Sequence, residues 1–314
     1  MLRIGLMLPD GFATLSLAPL TAFEAVNTVL EKPFYEVHAV SVRGGRVPSS
    51  FGMKVDTECA TDVTFDTLLV GSAPDVRPSP PELISFLRGV LPKTRRIASI
   101  CIGAFVLGEA GLLDGRRATT HWLYAKELQR RFPKVSVEAD RIFIADGQIW
   151  TSAGMTAGLD LALGLVERDI GREKVREAAR LLVLHHRRAG GQSQHSALLD
   201  LDASSDRVQT ALQFARRNLG TELSVDRLAE AACLSPRQFS RVFRTETGLS
   251  PAKAIENLRL EAARLMLEQG RLPIESVANE TGFGDRERMR RSFVRAFGQT
   301  PQAIRNAARP LASF

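Results

Sequence analysis

In the N-terminal 188 residues, short apolar runs alternate with segments in which apolar positions recur every three or four residues. The runs predict β-strands over 2–9, 35–42, 67–72 and 96–101, and the periodic segments predict helices over 17–30, 80–91 and 121–132 and a helical region over 158–188. A hairpin is predicted over 141–152, with Asp146 and Gly147 at its turn. Strands that alternate with helices are typical of a mostly parallel sheet. The predicted fold of this part is therefore an α/β flavodoxin-like sandwich with helices on both faces.

The pattern changes after residue 188. Residues 189–204 are rich in Gly, Ser, Gln and Asp and show no period, which predicts a linker. From 205 to 314 the apolar pattern is helical, with stops at Gly220, Gly248, Gly270 and Gly298. We therefore expect an α/β domain over 1–188, a linker over 189–204 and an all-α domain over 205–314. The length of the chain agrees, because it exceeds what one hydrophobic core usually fills.

The all-α part contains an internal repeat. Residues 225–251 and 274–301 match at an offset of 49 before a turn and 50 after it, so the second turn has one extra residue. Each copy has a short helix, a turn and a second helix, and Ser235 and Asp285 are placed to cap the second helices. This arrangement is a helix-turn-helix motif, and two such motifs are predicted.

The second helix of each motif separates apolar from polar positions. Phe239, Val242 and Phe243 face inward in the first motif, as do Met289 and Phe293 in the second. The outward positions are polar and mostly basic: Arg237, Gln238, Ser240, Arg241 and Arg244 in the first, and Arg286, Glu287, Arg288, Arg290, Arg291 and Arg295 in the second. From residue 204 onward there are 18 Lys+Arg and 12 Asp+Glu, against 24 and 23 in the rest of the chain. Such a basic domain indicates binding to double-stranded DNA.

Residues 205–309 resemble the DNA-binding domain of the AraC/XylS family of bacterial transcription regulators, most strongly over 275–305. The resemblance implies seven helices, with a long helix over 250–270 between the two motifs, and recognition helices in successive major grooves of a promoter. Carried over by position, the base-reading residues are Arg237, Gln238, Ser240 and Arg241 in the first motif and Arg286, Glu287, Arg290 and Arg291 in the second. The second helix holds more arginines than the family's pattern, so some of them are expected to bind phosphates.

In the N-terminal part, Cys101 stands where a predicted strand turns sharply into a helix. Backbone N–H groups and the helix dipole at such a turn favour a nucleophilic thiolate. Ligands of mostly parallel sheets bind at the carboxyl ends of the strands. The predicted ligand pocket is therefore lined by Gly71, Ser72, Cys101, Ile102 and His121.

The segments 97–122, 151–167 and 187–196 resemble the class I glutamine amidotransferase-like superfamily, which includes intracellular cysteine proteases and amidases. In particular, they resemble GlxA-type regulators, in which this domain is fused to an AraC-type domain. An amidase of this fold requires a His base, commonly the residue after the cysteine, and a nearby acid. Here residue 102 is Ile and residues 12–18 contain no carboxylate. We therefore expect a sensory domain without catalytic residues, in which Cys101 and His121 are vestigial candidates.

Other features limit the class of protein. Three cysteines far apart predict no disulfide framework and suit a reducing cytoplasm. Apolar runs are shorter than a membrane span, and no cluster has metal-ligand spacing, so no membrane, metal or cofactor is expected. The prediction is a cytoplasmic homodimeric regulator that binds promoter DNA and a small effector, such as a nitrogenous metabolite, and acts with RNA polymerase.

Two alternatives stay open at this point. One is a cysteine-dependent amidase or hydrolase that uses Cys101 and His121 and carries an accessory DNA-binding domain. The other is a nucleoid-type protein that binds DNA with little sequence preference.

Overall fold

The computed structural model describes residues 1–184, 188, 190, 194, 205–270 and 272–308. The chain forms two compact units, Met1–Gln194 and His195–Phe314. We call them the N-terminal and the C-terminal unit and describe each by itself. Most of the predicted linker, 189–204, lies outside the described residues, which there include Gly190 and Gln194.

The N-terminal unit is built on a mostly parallel sheet. Its strands are β1 (Leu2–Met7), β2 (Tyr35–Ser41), β3 (Gly45–Pro48), β4 (Lys54–Cys59), β5 (Thr67–Val70), β6 (Arg96–Ser99), β9 (Phe143–Asp146) and β10 (Ile149–Ser152), and a separate short pair is β7 (Arg117–Ala118) with β8 (Ser136–Val137). In the described part of this unit, the sheet has eight strands in the order β3-β4-β2-β1-β5-β6-β10-β9. The pairs from β4 to β10 are parallel, and hairpins place antiparallel β3 and β9 at the two edges.

Helices cover the sheet on both faces. They are α1 (Leu20–Val29), α2 (Pro81–Val90), α3 (Gly103–Glu109), α4 (Trp122–Arg131), α5 (Met155–Ile170) and α6 (Arg172–Leu181), with 3₁₀ turns over Thr14–Leu17 and Leu91–Lys93. The chain passes from β1 through α1 to β2 on one side, and from β5 through α2 to β6 on the other. Because such crossovers are right-handed, α1 and α2 lie on opposite faces. Helices α5 and α6 pack on α1, while α3 packs between α2 and α4. The predicted flavodoxin-like sandwich is confirmed.

Two parts of this unit differ from the sequence prediction. The hairpin β3–β4 was not predicted, because residues 45–59 are mostly polar and the strands are at best half-buried along most of their length. The helical region predicted over 158–188 contains two helices, which Gly171 separates at φ 84°. Glycine suits this break because the left-handed region is costly for other residues.

The described residues of the C-terminal unit form seven helices. They are α7 (Asp206–Arg217), α8 (Val225–Ala231), α9 (Pro236–Thr247), α10 (Pro251–Gln269), α11 (Ile274–Glu280), α12 (Arg286–Phe297) and α13 (Pro301–Ala308). Two hydrophobic cores lie along α10: one with α7, α8 and α9 around Phe239 and Phe243, and one with α11, α12 and α13 around Phe293. The predicted all-α domain, with two helix-turn-helix motifs joined by a long helix, is confirmed.

The two motifs interlock where the turn before α12 meets the loop between α7 and α8. Gly282 has φ 76°, and a Cβ at this position would lie 2.0 Å from the carbonyl oxygen of Leu219. Arg259 of α10 donates from Nε to the same Leu219 oxygen (3.2 Å) and from Nη2 to the Thr221 oxygen (2.8 Å). Only glycine fits at such a close approach of two backbones. The turn before α12 and the long helix α10 therefore both contact the loop that precedes α8.

Candidate functional sites

The first helix-turn-helix motif consists of α8, a short turn and α9. Ser224 caps α8 by accepting a hydrogen bond from the Arg227 N–H (3.3 Å). Ser235 begins α9 with a capping box, in which its Oγ accepts from the Gln238 N–H (3.4 Å) and Oε1 of Gln238 accepts from the Ser235 N–H (3.3 Å). These bonds satisfy backbone donors that a helix start leaves open. The local sequence thus sets the direction in which α9 leaves the turn.

The second motif consists of α11, a turn and α12. Gly282 and Gly284 both have positive φ, 76° and 80°, and Phe283 between them is buried against the second core. Asp285 caps α12 by accepting a hydrogen bond at Oδ1 from the Arg288 N–H (2.7 Å). The turn between α11 and α12 is one residue longer than the turn between α8 and α9, as the repeat predicted.

The recognition helices α9 and α12 separate their faces as the sequence predicted. Their inward side chains are at most 2% exposed: Phe239, Phe243, Met289 and Phe293. Among the predicted base-reading residues, five arginines are exposed: Arg237, Arg241, Arg286, Arg290 and Arg291. Both helices therefore present guanidinium groups to the surroundings.

Four of the predicted base-reading residues have contacts within the protein or less exposure. The carbonyl oxygen of Gln238 is engaged in the capping box, and Ser240 is half-buried. Glu287 and Arg290 form a two-point ion pair, with Oε2 to Nε and Oε1 to Nη2 both at 2.8 Å. The hydrogen bond from Arg290 lowers the pKa of Glu287 from its usual value. Glu287 is therefore a carboxylate, and Arg290 contacts both of its oxygens.

Two outward positions of α12 carry features that the sequence analysis missed. Val294 is 42% exposed. It follows Arg291 by three residues and Glu287 by seven, so all three share one face. Arg295 instead turns towards α10 and donates to the carboxylate of Glu256. The helical period could have placed Val294 on this face, whereas no sequence pattern signals the contact between Arg295 and Glu256.

Cys101 lies in the sharp turn between β6 and α3 and adopts φ 56°, in the left-handed region that is costly for a non-glycine residue. Its N–H donates to the Ser152 carbonyl (3.1 Å), and its carbonyl accepts from Oγ1 of Thr120 (2.9 Å). Gly103 permits the turn, because a Cβ there would lie 2.7 Å from the Val70 oxygen. The predicted strand-to-helix turn is therefore present and is held by its neighbours.

The thiol of Cys101 is in surroundings that favour its protonated form. The residue is 8% exposed, and burial raises the pKa of the thiol above its ordinary value of 9.0. A hydrogen bond from the Ile102 N–H offsets this only in part. The expectation that the turn favours a thiolate is thus wrong, because desolvation outweighs the backbone donor.

His121 begins α4 on the segment next to Cys101. The two are linked through Thr120, whose hydroxyl holds the Cys101 carbonyl. Nδ1 of His121 accepts from the Leu123 N–H (3.3 Å) and so caps the helix. Nδ1 therefore accepts a hydrogen bond from a backbone N–H at the start of α4, and the imidazole acts as the N-cap of this helix.

Gln194, the last residue of the N-terminal unit, forms hydrogen bonds to the segment beside His121. Nε2 of Gln194 donates to the carbonyl oxygens of Thr120 (2.8 Å) and Arg141 (3.0 Å), and its Oε1 accepts from the Trp122 N–H (2.8 Å). Gln194 falls within the predicted linker. This described residue of the linker therefore contacts the segment that carries His121.

Two of the predicted pocket residues, Ser72 and Ile102, line a cavity of about 50 Å³ at the carboxyl ends of β1, β5 and β6. The Ser72 N–H donates to Oγ of Ser16 (3.1 Å). The Ser72 hydroxyl is buried and has no hydrogen-bond partner among the described residues. Asp75 and Arg77 also line the cavity. A buried hydroxyl without a partner is costly, and this one belongs to a residue of the cavity wall.

Gly71 packs behind this cavity rather than lining it. Its N–H donates to the Met7 oxygen (2.9 Å), and a Cβ at this position would lie 3.0 Å from the same oxygen. Glycine therefore lets β5 end close against β1. The structure places Ser72 and Ile102 on the cavity wall, and Cys101 and His121 on adjoining segments.

Two features are absent from the residues that the structure describes. Nowhere in these ranges do three or more His, Cys, Asp or Glu side chains gather so that they could hold a metal ion. Among the described helices, none combines the length and apolarity that crossing a bilayer requires. All three cysteines are free thiols.

Two protein-family models match the chain. The DJ-1/PfpI family matches residues 16–168, which include the strand-to-helix turn at Cys101. A helix-turn-helix domain matches residues 228–307, which include both recognition helices. The two matches fall on the N-terminal and the C-terminal unit, respectively.

Two relatives match almost the whole of this chain. The chain is 31% identical over 310 residues to the HTH-type transcriptional regulator GlxA of Rhizobium meliloti, covering 96% of this chain and 95% of that protein. It is 29% identical over 304 residues to the HTH-type transcriptional regulator GbdR of Pseudomonas aeruginosa, covering 95% and 83%. The crystal structure of an AraC family transcriptional regulator from Pseudomonas putida shares the fold, with a TM-score of 0.54 at 24% identity over 58% of this chain and 100% of that one. The chain therefore belongs to the family of HTH-type transcriptional regulators that join a DJ-1/PfpI domain to an AraC-type DNA-binding domain.

Proposed function

We propose that this regulator binds a small polar effector in the cavity at Ser72 and reads its promoter through the outward faces of α9 and α12. One observation carries the proposal: two capped recognition helices present exposed arginines on their outward faces, and Arg241 and Arg291 occupy matching positions in the two helices. The domain limits 1–188 and 205–314, with the linker 189–204 between them, belong to the same proposal.

The exposed residues have separate roles at the DNA. Arg241 and Arg291 hydrogen-bond to guanines, since a guanidinium matches O6 and N7 in the major groove. Glu287, oriented by Arg290, accepts from the amino group of a cytosine, and Val294 contacts a thymine methyl group. Arg237 and Arg286 lie at the helix starts, where base edges or nearby phosphates are within reach. Gln238 acts as part of the cap of α9. Ser240 is half-buried and has a short side chain, so it contacts the DNA only where the duplex lies close to α9.

The cavity in the N-terminal unit suits a small polar molecule. The Ser72 hydroxyl supplies a donor and an acceptor without a partner, Asp75 supplies a carboxylate, and Arg77 a guanidinium. Such a set complements a nitrogenous metabolite that carries both an ammonium and a carboxylate group. Effector binding changes DNA affinity to the extent that it favours one conformational state over another.

The N-terminal unit does not catalyse a reaction under this proposal. Cys101 keeps the strained turn of a nucleophile, but burial keeps its thiol protonated, and the next residue is Ile102 instead of the usual His. His121 supports α4 through Nδ1. The strained turn then serves to shape the cavity wall at Ile102. The regulator also acts as a homodimer together with RNA polymerase, a part of the proposal that rests on the family alone.

The test combines footprinting with variants. Genome-wide recovery of bound DNA gives the promoter. Footprints are then repeated with small nitrogenous metabolites, chosen as substrates of the enzymes that the neighbouring genes encode. We expect one metabolite to shift DNA affinity for the wild type and not for Ser72→Ala, while both bind DNA equally without it. Loss of a thiol-dependent turnover in Cys101→Ser, with the effector response unchanged, would instead establish the hydrolase.

A further inference from the structure

An open cleft of about 650 Å³ lies between the two helix-turn-helix motifs. One wall is the loop between α7 and α8, and the other is the turn between α11 and α12. Arg259 of α10 and Arg288 of α12 both line it, together with Gly220, Thr221, Glu222, Leu223, Ser224, Asn279, Gly282 and Gly284. The base-reading positions proposed above make no use of this cleft.

Arg259 and Arg288 bring two positive charges into the cleft, and among the described residues that line it Glu222 carries a carboxylate. Arg259 is half-buried, and its guanidinium is held by the carbonyl oxygens of Leu219 and Thr221. Burial and the positive charge of Arg288 both lower the pKa of Arg259. In the described residues, neither arginine forms an ion pair, and Glu222 is exposed on the loop. Two like charges held together in this way favour an anion between them.

The position of the cleft indicates which anion it meets. Recognition helices that occupy successive major grooves lie about one helical turn apart, so the body between them crosses the intervening minor groove. The sugar-phosphate strands form the walls of that groove. Arg288 lies in α12, so the second recognition helix itself forms part of the cleft wall.

We infer that this cleft binds one backbone phosphate of the duplex, between the two half-sites, with Arg259 and Arg288 as its ligands. The inference rests on DNA binding by the C-terminal unit and adds a contact that carries no base specificity. Arg259 is positioned in advance by its two carbonyl bonds, so it loses little side-chain entropy on binding. Arg288 is exposed and supplies the second guanidinium from the recognition helix.

The experiment uses the full chain and a duplex that carries the site recovered from a random-sequence library. Arg288→Gln should weaken binding about tenfold, lower the slope of log K against log salt by about 1, and leave the base preference unchanged. Arg207→Gln removes the same charge from an exposed position of α7 that does not line the cleft. This control should keep the wild-type slope.

A second arm locates the phosphate. Methylphosphonate, which is uncharged, replaces one phosphate at a time between the half-sites. At one position it should weaken wild-type binding about tenfold and weaken Arg288→Gln clearly less, because one of the two arginine ligands is already absent there. If the two losses add at every position, the cleft holds no phosphate. If Arg288→Gln changes the base preference, Arg288 reads a base and the inference is wrong, although sequence-specific DNA binding stands.

Discussion

The carboxylate of Glu287 accepts two hydrogen bonds from the guanidinium of Arg290, one from Nε and one from Nη2, each at 2.8 Å. The two residues lie three positions apart on the exposed side of α12. An exposed pair at this spacing adds little to stability. Under the proposed function, its effect is to orient Glu287 before DNA binds, which lowers the entropic cost of a base contact.

Replacing Glu287 by Gln should change which base the protein prefers at one position. A glutamate accepts from cytosine, whereas a glutamine both accepts and donates and matches adenine. We expect a loss of about 1–3 kcal/mol on the wild-type site and a new preference for adenine there. Selection from a randomised duplex library measures this. Arg290→Gln serves as the control and should keep the cytosine preference in weakened form. An unchanged preference in Glu287→Gln would remove Glu287 from the base-reading residues.

Arg241→Ala and Arg291→Ala should each relax the preference for guanine at a different position. Each loss should be about 1–3 kcal/mol on the cognate duplex and much smaller on random DNA. Fluorescence anisotropy on the two duplexes measures the difference. Arg217→Ala, an exposed arginine of α7, is the matched control for charge. Equal weakening on both duplexes would assign the tested arginine to a phosphate.

Gln238 should affect the stability of α9 and not the base preference. Gln238→Ala removes the acceptor for the Ser235 N–H, at a cost of about 0.5–1.5 kcal/mol, which hydrogen exchange of the α9 amides in the full chain reports. Gln238→Glu keeps the acceptor and should keep the protection. Its added negative charge weakens binding equally on all sequences. A changed base preference in either variant would show that Gln238 reaches the bases.

Val294 should recognise the methyl group of a thymine. Substituting uracil for the contacted thymine removes only that methyl group, and we expect the wild type to lose about 0.8 kcal/mol of binding. The same substitution should leave the affinity of Val294→Ala unchanged, because its partner is already absent. A scan of uracil through the site finds the position. Equal sensitivity of the two proteins at every thymine would contradict the contact.

Alkylation of Cys101 should be slow at neutral pH. Its pKa is raised above 9.0 by burial, so the thiolate fraction at pH 7 is about 1% or less. In a Cys59→Ser, Cys233→Ser background, the rate of modification by iodoacetamide should climb with pH without a plateau below pH 9. Free cysteine under the same conditions is the reference. A plateau near pH 7 would mean an activated thiolate and would favour the hydrolase.

Apolar spacing was sufficient to predict the sandwich and both helix-turn-helix motifs, because buried strands such as β5 and β6 and inward residues such as Phe239 and Phe293 follow simple periods. It failed for β3 and β4, which are largely exposed and so have no apolar pattern. It also placed Gln238 and Arg295 on an outward face without showing what they bind. Those contacts depend on a cap and on Glu256, which is 39 residues from Arg295 in the sequence.

The unsatisfied hydroxyl of Ser72 was also beyond prediction. The sequence places Ser72 at the end of a strand, but whether its oxygen finds a partner depends on how Ser16 and the following loop pack. The burial of the Cys101 thiol, which raises its pKa, could not be predicted either. Both are properties of a three-dimensional environment, so a local motif does not reveal them.

We expect the close approach of Gly282 to Leu219 to determine which spacing of half-sites the protein accepts in its operator. If this contact keeps the two recognition helices at one spacing, inserting a single base pair between the proposed half-sites rotates one half-site by roughly 35° around the helix axis relative to the other. The protein would then have to give up one groove or twist the DNA to regain it. The number of base pairs between the two half-sites would then matter for recognition as much as the identity of the contacted bases.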